Sequence, residues 1–446
     1  MTIRRDALTI LEEIKDGAYS NIVLSRRLPR IPDKRDRALL TEIVYGVLRY
    51  KNRLDYYIIK LSNRPLKKID SAVLTALRMG IYQLLFLERI PDRAAVYETV
   101  NALKGLTHQG GIKFANALLR GFIRKKKQVL FPDKENDPIS YLVHYHSHPR
   151  WLVELWLKQY GFTRTLKLCS LNNQPPGLYI RMNTLKIHSR EFIQTFVTDQ
   201  IGLTAEPVNG SYQLKGFNSI TELPLFNDGG FIIQGPAATL AGLLLGVRPG
   251  MRVLDMAAAP GGKTTHLAEL MDNQGSIIAL DIYQHKLKLI EENCQRMGVK
   301  IVKTVKNDGR EYRDNKKFDM ILVDAPCSGL GLIRQKPEIK WNKNLQDIKE
   351  ITKIQRGLLV NAVQLVKKNG LILYTTCTLN RSENQDIVNN ILSVYCDELE
   401  LIDLSKDLAE LGLAKTYPVD SNGFLEMFPP ESKTEGFFMA KLKKVK

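Results

Sequence analysis

From Val253 to Cys377 the chain alternates short apolar runs with small-residue or polar boxes, and this pattern leaves few folds open. The runs are Val253-Leu254, Ser276 to Leu280, Ile301 to Val305, Met320 to Val323 and Leu371 to Leu373. Each reads as a buried strand, and the helical stretch from Thr265 to about Leu270 after the first makes a doubly wound α/β sheet the expected arrangement. Such sheets place their chemistry at the carboxyl ends of the strands. Two thiols lie at such ends: Cys327 in Asp324-Ala325-Pro326-Cys327-Ser328-Gly329, and Cys377 in Tyr374-Thr375-Thr376-Cys377-Thr378, 50 positions later. A single free cysteine is often just a small buried hydrophobe. Two at matching strand ends, beside a glycine loop, point to chemistry instead.

The glycine loop is Asp255-Met256-Ala257-Ala258-Ala259-Pro260-Gly261-Gly262-Lys263-Thr264. Its small residues let a ligand approach the backbone closely. The next strand ends at Asp281, placed to accept hydrogen bonds from ribose hydroxyls. A dinucleotide fingerprint, Gly-x-Gly-x-x-Gly, is absent. A P-loop would need glycine where Ala257 stands.

The loop, Asp281, Asn307-Asp308-Gly309, the Asp-Ala-Pro-Cys-Ser-Gly box and the Thr-Cys-Thr box together resemble the S-adenosylmethionine-dependent RNA cytosine-C5 methyltransferases. The first 130 residues resemble the NusB-like helical domain, through Asp36-Arg37-Ala38-Leu39-Leu40, Tyr45-Gly46-Val47-Leu48-Arg49, Tyr82-Gln83-Leu84-Leu85-Phe86 and Phe114 to Arg120. The resemblance implies a multidomain protein in which an all-α NusB-like domain and a small α+β subdomain precede a Rossmann-like methyltransferase domain. It implies S-adenosyl-L-methionine as methyl donor, no metal, and small-subunit (16S) ribosomal RNA as substrate, with tRNA or another rRNA as an alternative carrying the same chemistry. A non-catalytic NusB-like RNA-binding factor is the remaining alternative, but it would leave both cysteine boxes unexplained. The family more often has Cys at the position of Ala257 and Asp at that of Gly235.

Cytosine C5 is a poor nucleophile. A thiolate adding to C6 makes C5 enamine-like, so that it can take a methyl group before a base removes the C5 proton. The attacking thiol must ionise, and Lys263 is a candidate source of positive field. Asp324 is the candidate acid at the pyrimidine N3. Pro-Cys after a strand is also the nucleophile box of DNA cytosine methyltransferases, so spacing alone leaves the attacking cysteine open. The resemblance assigns attack to Cys377 and product release to Cys327. It places Ala257, Ala258, Ala259, Pro260, Gly261, Gly262 and Lys263 around the methionine moiety, Asp281 on the ribose and Asp308 near the adenine, with a further ligand contact open to Asp324.

Charge speaks about the partner. The formal net charge is +18, and residues 1–130 alone hold 26 Lys plus Arg against 12 Asp plus Glu, so an anionic polymer is expected. Arg26-Arg27, Lys34-Arg35, Lys67-Lys68 and Arg124 to Lys127 are candidate phosphate contacts. Helical spacing of Leu40, Ile43, Val44, Val47 and Leu48, and of Val73, Leu74, Leu77 and Ile81, predicts a bundle over residues 1–132. Linker helices and the α+β subdomain are expected over 138–229, and the methyltransferase domain over 230–446. No apolar stretch approaches a membrane span and no secretory signal is visible, while five cysteines without a Cys-x-x-Cys pair fit a reducing compartment, so a cytoplasmic location without membrane contact is expected. Nothing in the sequence implies an obligate protein partner. Cys169, Cys294 and Cys396 read as core or incidental. His144, His146 and His148 lack the cysteine or carboxylate that would complete a zinc site.

Overall fold

The computed structural model describes residues 2–198, 201–217 and 219–446. Two compact units divide the chain: Met1–Pro175 with Ile333–Lys343, and Pro176–Leu332 with Asn344–Lys446.

The first unit is helical. Its long helix Lys34–Ser62 starts where Asp33 accepts from the Arg35 amide, and Ser71–Phe86 starts where Asp70 accepts from that of Val73. Leu40, Ile43, Val44 and Val47 of the first helix and Val73, Leu77 and Ile81 of the second are buried in one core, as their spacing predicts. Helices Pro138–His144 and Arg150–Asn172 also belong to this unit, so the compact units do not part at the expected linker near residue 135. Asn52 ties the connection between them to the long helix, its amide donating to Ser147 Oγ and its side chain to the His148 carbonyl.

Segment Ile333–Lys343 lies far along the sequence and joins the helical unit through polar anchors. Lys340 is fully buried and donates to the carbonyls of Arg49 and Ser147 and to Asn173 Oδ1, at 2.8, 2.9 and 3.0 Å. Three acceptors match the three N–H groups of an ammonium. Buried Glu338 accepts from the amide and hydroxyl of Ser20, and Trp341 Nε1 donates to the Leu48 carbonyl.

The second unit holds two sheets. Strands β1 (Leu178–Met182), β2 (Gly202–Ala205), β3 (Ser211–Lys215) and β4 (Phe231–Ile233) form an antiparallel sheet in the order β2-β3-β1-β4. Because β4 pairs with β1, Ile180 opposite Ile233, the expected boundary at residue 230 cuts through this small sheet. The larger sheet contains β5 (Arg252–Asp255), β6 (Ser276–Asp281), β7 (Val302–Lys306), β8 (Phe318–Asp324), β9 (Val366–Thr376), β10 (Leu399–Ile402), β11 (Leu425–Met427) and β12 (Phe437–Lys444). Its order is β10-β12-β9-β8-β5-β6-β7, with β11 beside β12. Strands β5 to β9 are parallel, and β12 runs antiparallel to β9.

Helices Pro236–Leu245, Gly262–Leu270 and Gln284–Met297 contribute to one apolar core, and Leu345–Leu365 and Gln385–Val394 to another. The chain runs outward from β5 through β6 to β7, then returns to the other side for β8 and β9. The order therefore reverses between β5 and β8, the place where open α/β sheets form their ligand crevice. Arg181 of β1 pairs with Glu269 of the helix after β5, both almost wholly buried. Removing one partner would strand a buried charge at a cost of about 3–5 kcal/mol.

Candidate active site

The site is built from the carboxyl ends of β5, β6, β8 and β9. Asp255 ends β5 and is buried. It accepts from Thr264 Oγ1 at 2.7 Å through one oxygen, while the other has no hydrogen-bond partner among the described residues. Burial, reinforced by nearby Asp324 and opposed by the Thr264 bond, pushes its carboxyl up to about 7. The loop then turns through Gly261, whose φ of 99° lies in the left-handed region, where a Cβ would also stand 3.2 Å from the Ile290 Cα. Ala258 donates its amide to Leu280 of β6 and is buried, whereas Ala257 and Ala259 remain partly open. The helix begins at Gly262, three residues earlier than the sequence pattern suggests, which places Lys263 in its first turn.

Asp281 ends β6. One of its oxygens accepts from the Tyr283 amide at 2.9 Å, and the other lies 4.0 Å from Lys286 Nζ. The Asp308 carboxylate is clamped by Arg310 through its amide and guanidinium, which holds it below the usual carboxylate range. A small-residue loop, a partly committed carboxylate at the next strand end and a buried carboxylate oxygen lacking a donor fit a nucleoside-bearing ligand at this switch point. Asp308, expected near the adenine, holds the Arg310 guanidinium at its carboxylate.

Strand register explains how the chemistry assembles. Parallel pairing sets Asp324 of β8 opposite Thr375 of β9, and Thr375 Oγ1 donates to Asp324 Oδ1 at 2.8 Å. Cys327 lies three residues beyond Asp324 and Cys377 two beyond Thr375, so the loops meet and the thiol sulfurs stand 3.2 Å apart, both half-buried. Lys263 Nζ donates to Asp324 Oδ2 at 2.7 Å and lies 5.1 Å from the Phe437 ring centroid. Burial works against the ammonium, but Asp324 outweighs it and, with Cys377 and Asp255 adding, raises the Lys263 pKa. Lys263 therefore stays charged beside Cys377. The hydrogen bond with Cys377, burial and the charge of Glu383 push the Cys327 thiol well up.

The structure thus brings together Lys263, Asp324, Cys327 and Cys377. Asp281 and the 257–263 loop lie at neighbouring strand ends of the same sheet. Sequence reasoning missed three members of the site: Thr375, which donates to Asp324, and Gln355 and Glu383, which bond to each other and to the Pro326 carbonyl and Ser328 amide on either side of Cys327. Thr375 could have been found by pairing the two strand ends in register; the other two carry no spacing signal. Cys169 and Cys294 are buried and Cys396 is exposed. The histidine trio lies in the helical unit, where the His148 ring contacts the His146 carbonyl and burial pushes His146 down to about 4.

The family described as "16S rRNA methyltransferase RsmB/F" matches residues 242–443. The NusB family matches residues 1–124, and the RsmF/B-like ferredoxin-like domain matches 148–213. A Bacillus subtilis protein named "Probable ribosomal RNA small subunit methyltransferase B" is 37% identical, with 99% of this chain and 98% of that protein covered. The chain belongs to the RsmB/F methyltransferase family. A Photorhabdus laumondii relative named ribosomal RNA small subunit methyltransferase B is 32% identical over 98% of this chain and 97% of its own length. Among solved structures, that of PH0851 aligns over 99% of this chain and 98% of its own, with a TM-score of 0.83 and 28% identity. The structure of NSun6 from Pyrococcus horikoshii with SFG covers 68% of this family member and all of its own chain, at a TM-score of 0.60 and 25% identity. A NusB-like helical domain, a ferredoxin-like subdomain and a Rossmann-like methyltransferase domain are thus the parts of the chain.

Proposed function

We propose that this protein methylates C5 of a cytosine in small-subunit (16S) ribosomal RNA, through a covalent bond between Cys377 and C6 of the base. The observation that carries the reading is the pair of thiols 3.2 Å apart at adjacent strand ends, one of them within electrostatic reach of the Lys263 ammonium. The 257–263 loop and Asp281 are the residues that would hold S-adenosylmethionine, which would supply an electrophilic methyl group.

The chain's own residues supply the rest. Lys263 favours the thiolate of Cys377, which adds to C6. Asp324, fixed by Lys263 and Thr375, faces N3 and holds or supplies the proton there as the ring loses its aromaticity. Methyl transfer to C5 follows, and loss of the C5 proton expels Cys377. Cys327 serves the release step by passing its thiol proton to the departing Cys377 sulfur, 3.2 Å away, and taking the C5 proton in exchange. The target must leave any base stack, because a stacked pyrimidine cannot admit a thiol to C6 and a methyl donor to C5 together.

Exposed basic residues at helix ends of the first unit, including Arg26, Lys34, Arg35, Lys67, Lys68, Arg124 and Lys125, support phosphate binding. Among the described residues no helix is long and apolar enough to cross a membrane. A cytoplasmic location accords with the reading. The test is incubation with labelled S-adenosylmethionine and separate pools of small-subunit rRNA, large-subunit rRNA and tRNA, followed by mapping of 5-methylcytosine. Label at C5 of one small-subunit cytosine is expected; label confined to tRNA would overturn the substrate, and label on another atom would overturn the chemistry.

A further inference from the structure

Behind the two thiols lies a carboxylate that the reaction scheme above does not use. Glu383 is fully buried in the short turn after the Cys377 loop. Its Oε1 accepts from the Ser328 amide at 2.7 Å and from Gln355 Nε2 at 3.3 Å. Its Oε2 accepts from Ser328 Oγ at 2.6 Å, Asn380 Nδ2 at 3.0 Å and Thr378 Oγ1 at 3.3 Å. Ser328 follows Cys327 and Thr378 follows Cys377, so one side chain grips both loops next to their thiols. Gln355 completes the hold by donating to the Pro326 carbonyl at 3.0 Å, on the other side of Cys327. Tyr374 donates to the Glu383 carbonyl at 2.6 Å and fixes the turn from β9.

A buried carboxylate whose donors are hydroxyls and amides is costly unless nearly every lone pair is met. A hydrophobic residue would serve packing alone at lower cost. Here the hydrogen bonds converge on the residues flanking the thiols, and the Glu383 charge adds to the Cys377 hydrogen bond and burial in pushing the Cys327 thiol up.

We infer that Glu383 is a positioning residue for the two-thiol reaction: its carboxylate grips the residues that follow Cys327 and Cys377 and so sets the separation of the two thiols. The inference rests on the reading of the site given above. Glu383→Gln keeps the shape of the side chain and removes its charge; the Ser328 and Thr378 hydroxyls can rotate to accept from the new amide, while the Asn380 Nδ2 donor loses its acceptor. Glu383→Ala removes the grip as well.

The test measures RNA methylation, accumulation of covalent enzyme–RNA complex and, without any RNA, the pH profile of iodoacetamide alkylation of Cys327, read by peptide mass spectrometry. For Glu383→Gln, kcat is expected to fall about 100-fold with KM for RNA nearly unchanged, as a misplaced reacting group would cause. Covalent complex should accumulate, and Cys327 alkylation should shift to lower pH by about one unit. Wild-type kcat and an unshifted alkylation profile in Glu383→Gln would overturn the inference, even if Glu383→Ala failed to fold. Should the wild-type protein form neither 5-methylcytosine nor covalent complex, the two-thiol reading would fail instead, while the alkylation profile still reports on Glu383.

Discussion

The Cys327 and Cys377 loops are near mirror images in sequence, each a cysteine just past an apolar strand, but their surroundings differ. Cys377 lies within electrostatic reach of the Lys263 ammonium, which is ion-paired with Asp324. Cys327 is backed by the Glu383 carboxylate and hydrogen-bonded to its neighbour, and its thiol is pushed up. Two identical side chains 3.2 Å apart thus have different charged neighbours, an ammonium acting on one and a carboxylate on the other. Positive charge favours a thiolate, and negative charge with burial favours a thiol. The lesson is that neighbouring charges distinguish two sulfurs that spacing leaves equivalent, and the proposed roles, attack for Cys377 and release for Cys327, follow that distinction.

The comparison can be broken outright at Cys377. Cys377→Ala should lower methylation by at least about 10⁴-fold, the scale of losing a covalent nucleophile, and abolish covalent attachment in a denaturing gel assay. Cys327→Ala should lower turnover about 10²- to 10³-fold while the attached complex builds up, as expected when only a proton-transfer partner is lost. Replacing the ammonium that separates the two settings is a milder intervention. Lys263→Met should reduce single-turnover attachment about tenfold at pH 7, with the rate recovering as the pH is raised.

The smallest effect concerns Asp255, whose charge adds to the field at Lys263. Its carboxyl, pushed up to about 7 by burial, binds a proton in the folded state between about pH 4 and 7, where the unfolded chain has released it. Stability should therefore fall as pH rises through that window, by a few kcal/mol at most. Asp255→Asn should flatten the dependence, seen as a smaller change in Tm between pH 5 and 8.

The parallel sheet and its strand-end chemistry were legible because apolar runs and boxes recur along one stretch of chain, and pairing of β8 with β9 brings the two cysteine boxes together. Local periodicity likewise revealed the helical bundle around Leu40 and Val73. What escaped was non-local. Residues 231–233 read as the start of the larger domain, yet their backbone pairs with β1 across some 50 residues of chain. Lys340 and Glu338 look like surface charges in sequence. Both are buried through partners nearly 170 to more than 300 positions away. Glu383 was hidden for a similar reason: its importance lies in Ser328, 55 positions earlier, and in Gln355, 28 earlier. The Arg310 clamp on Asp308 likewise depends on a turn that letters alone do not reveal.

The central claim is that Cys377 attacks and Cys327 releases. Wild-type, Cys327→Ala and Cys377→Ala proteins can be incubated with small-subunit rRNA and S-adenosylmethionine, denatured, and assayed for RNA-linked protein, with the linked peptide identified by mass spectrometry. The account predicts a stable adduct in Cys327→Ala, linked through Cys377, and none in Cys377→Ala. An adduct that persists in Cys377→Ala and links through Cys327 would contradict it.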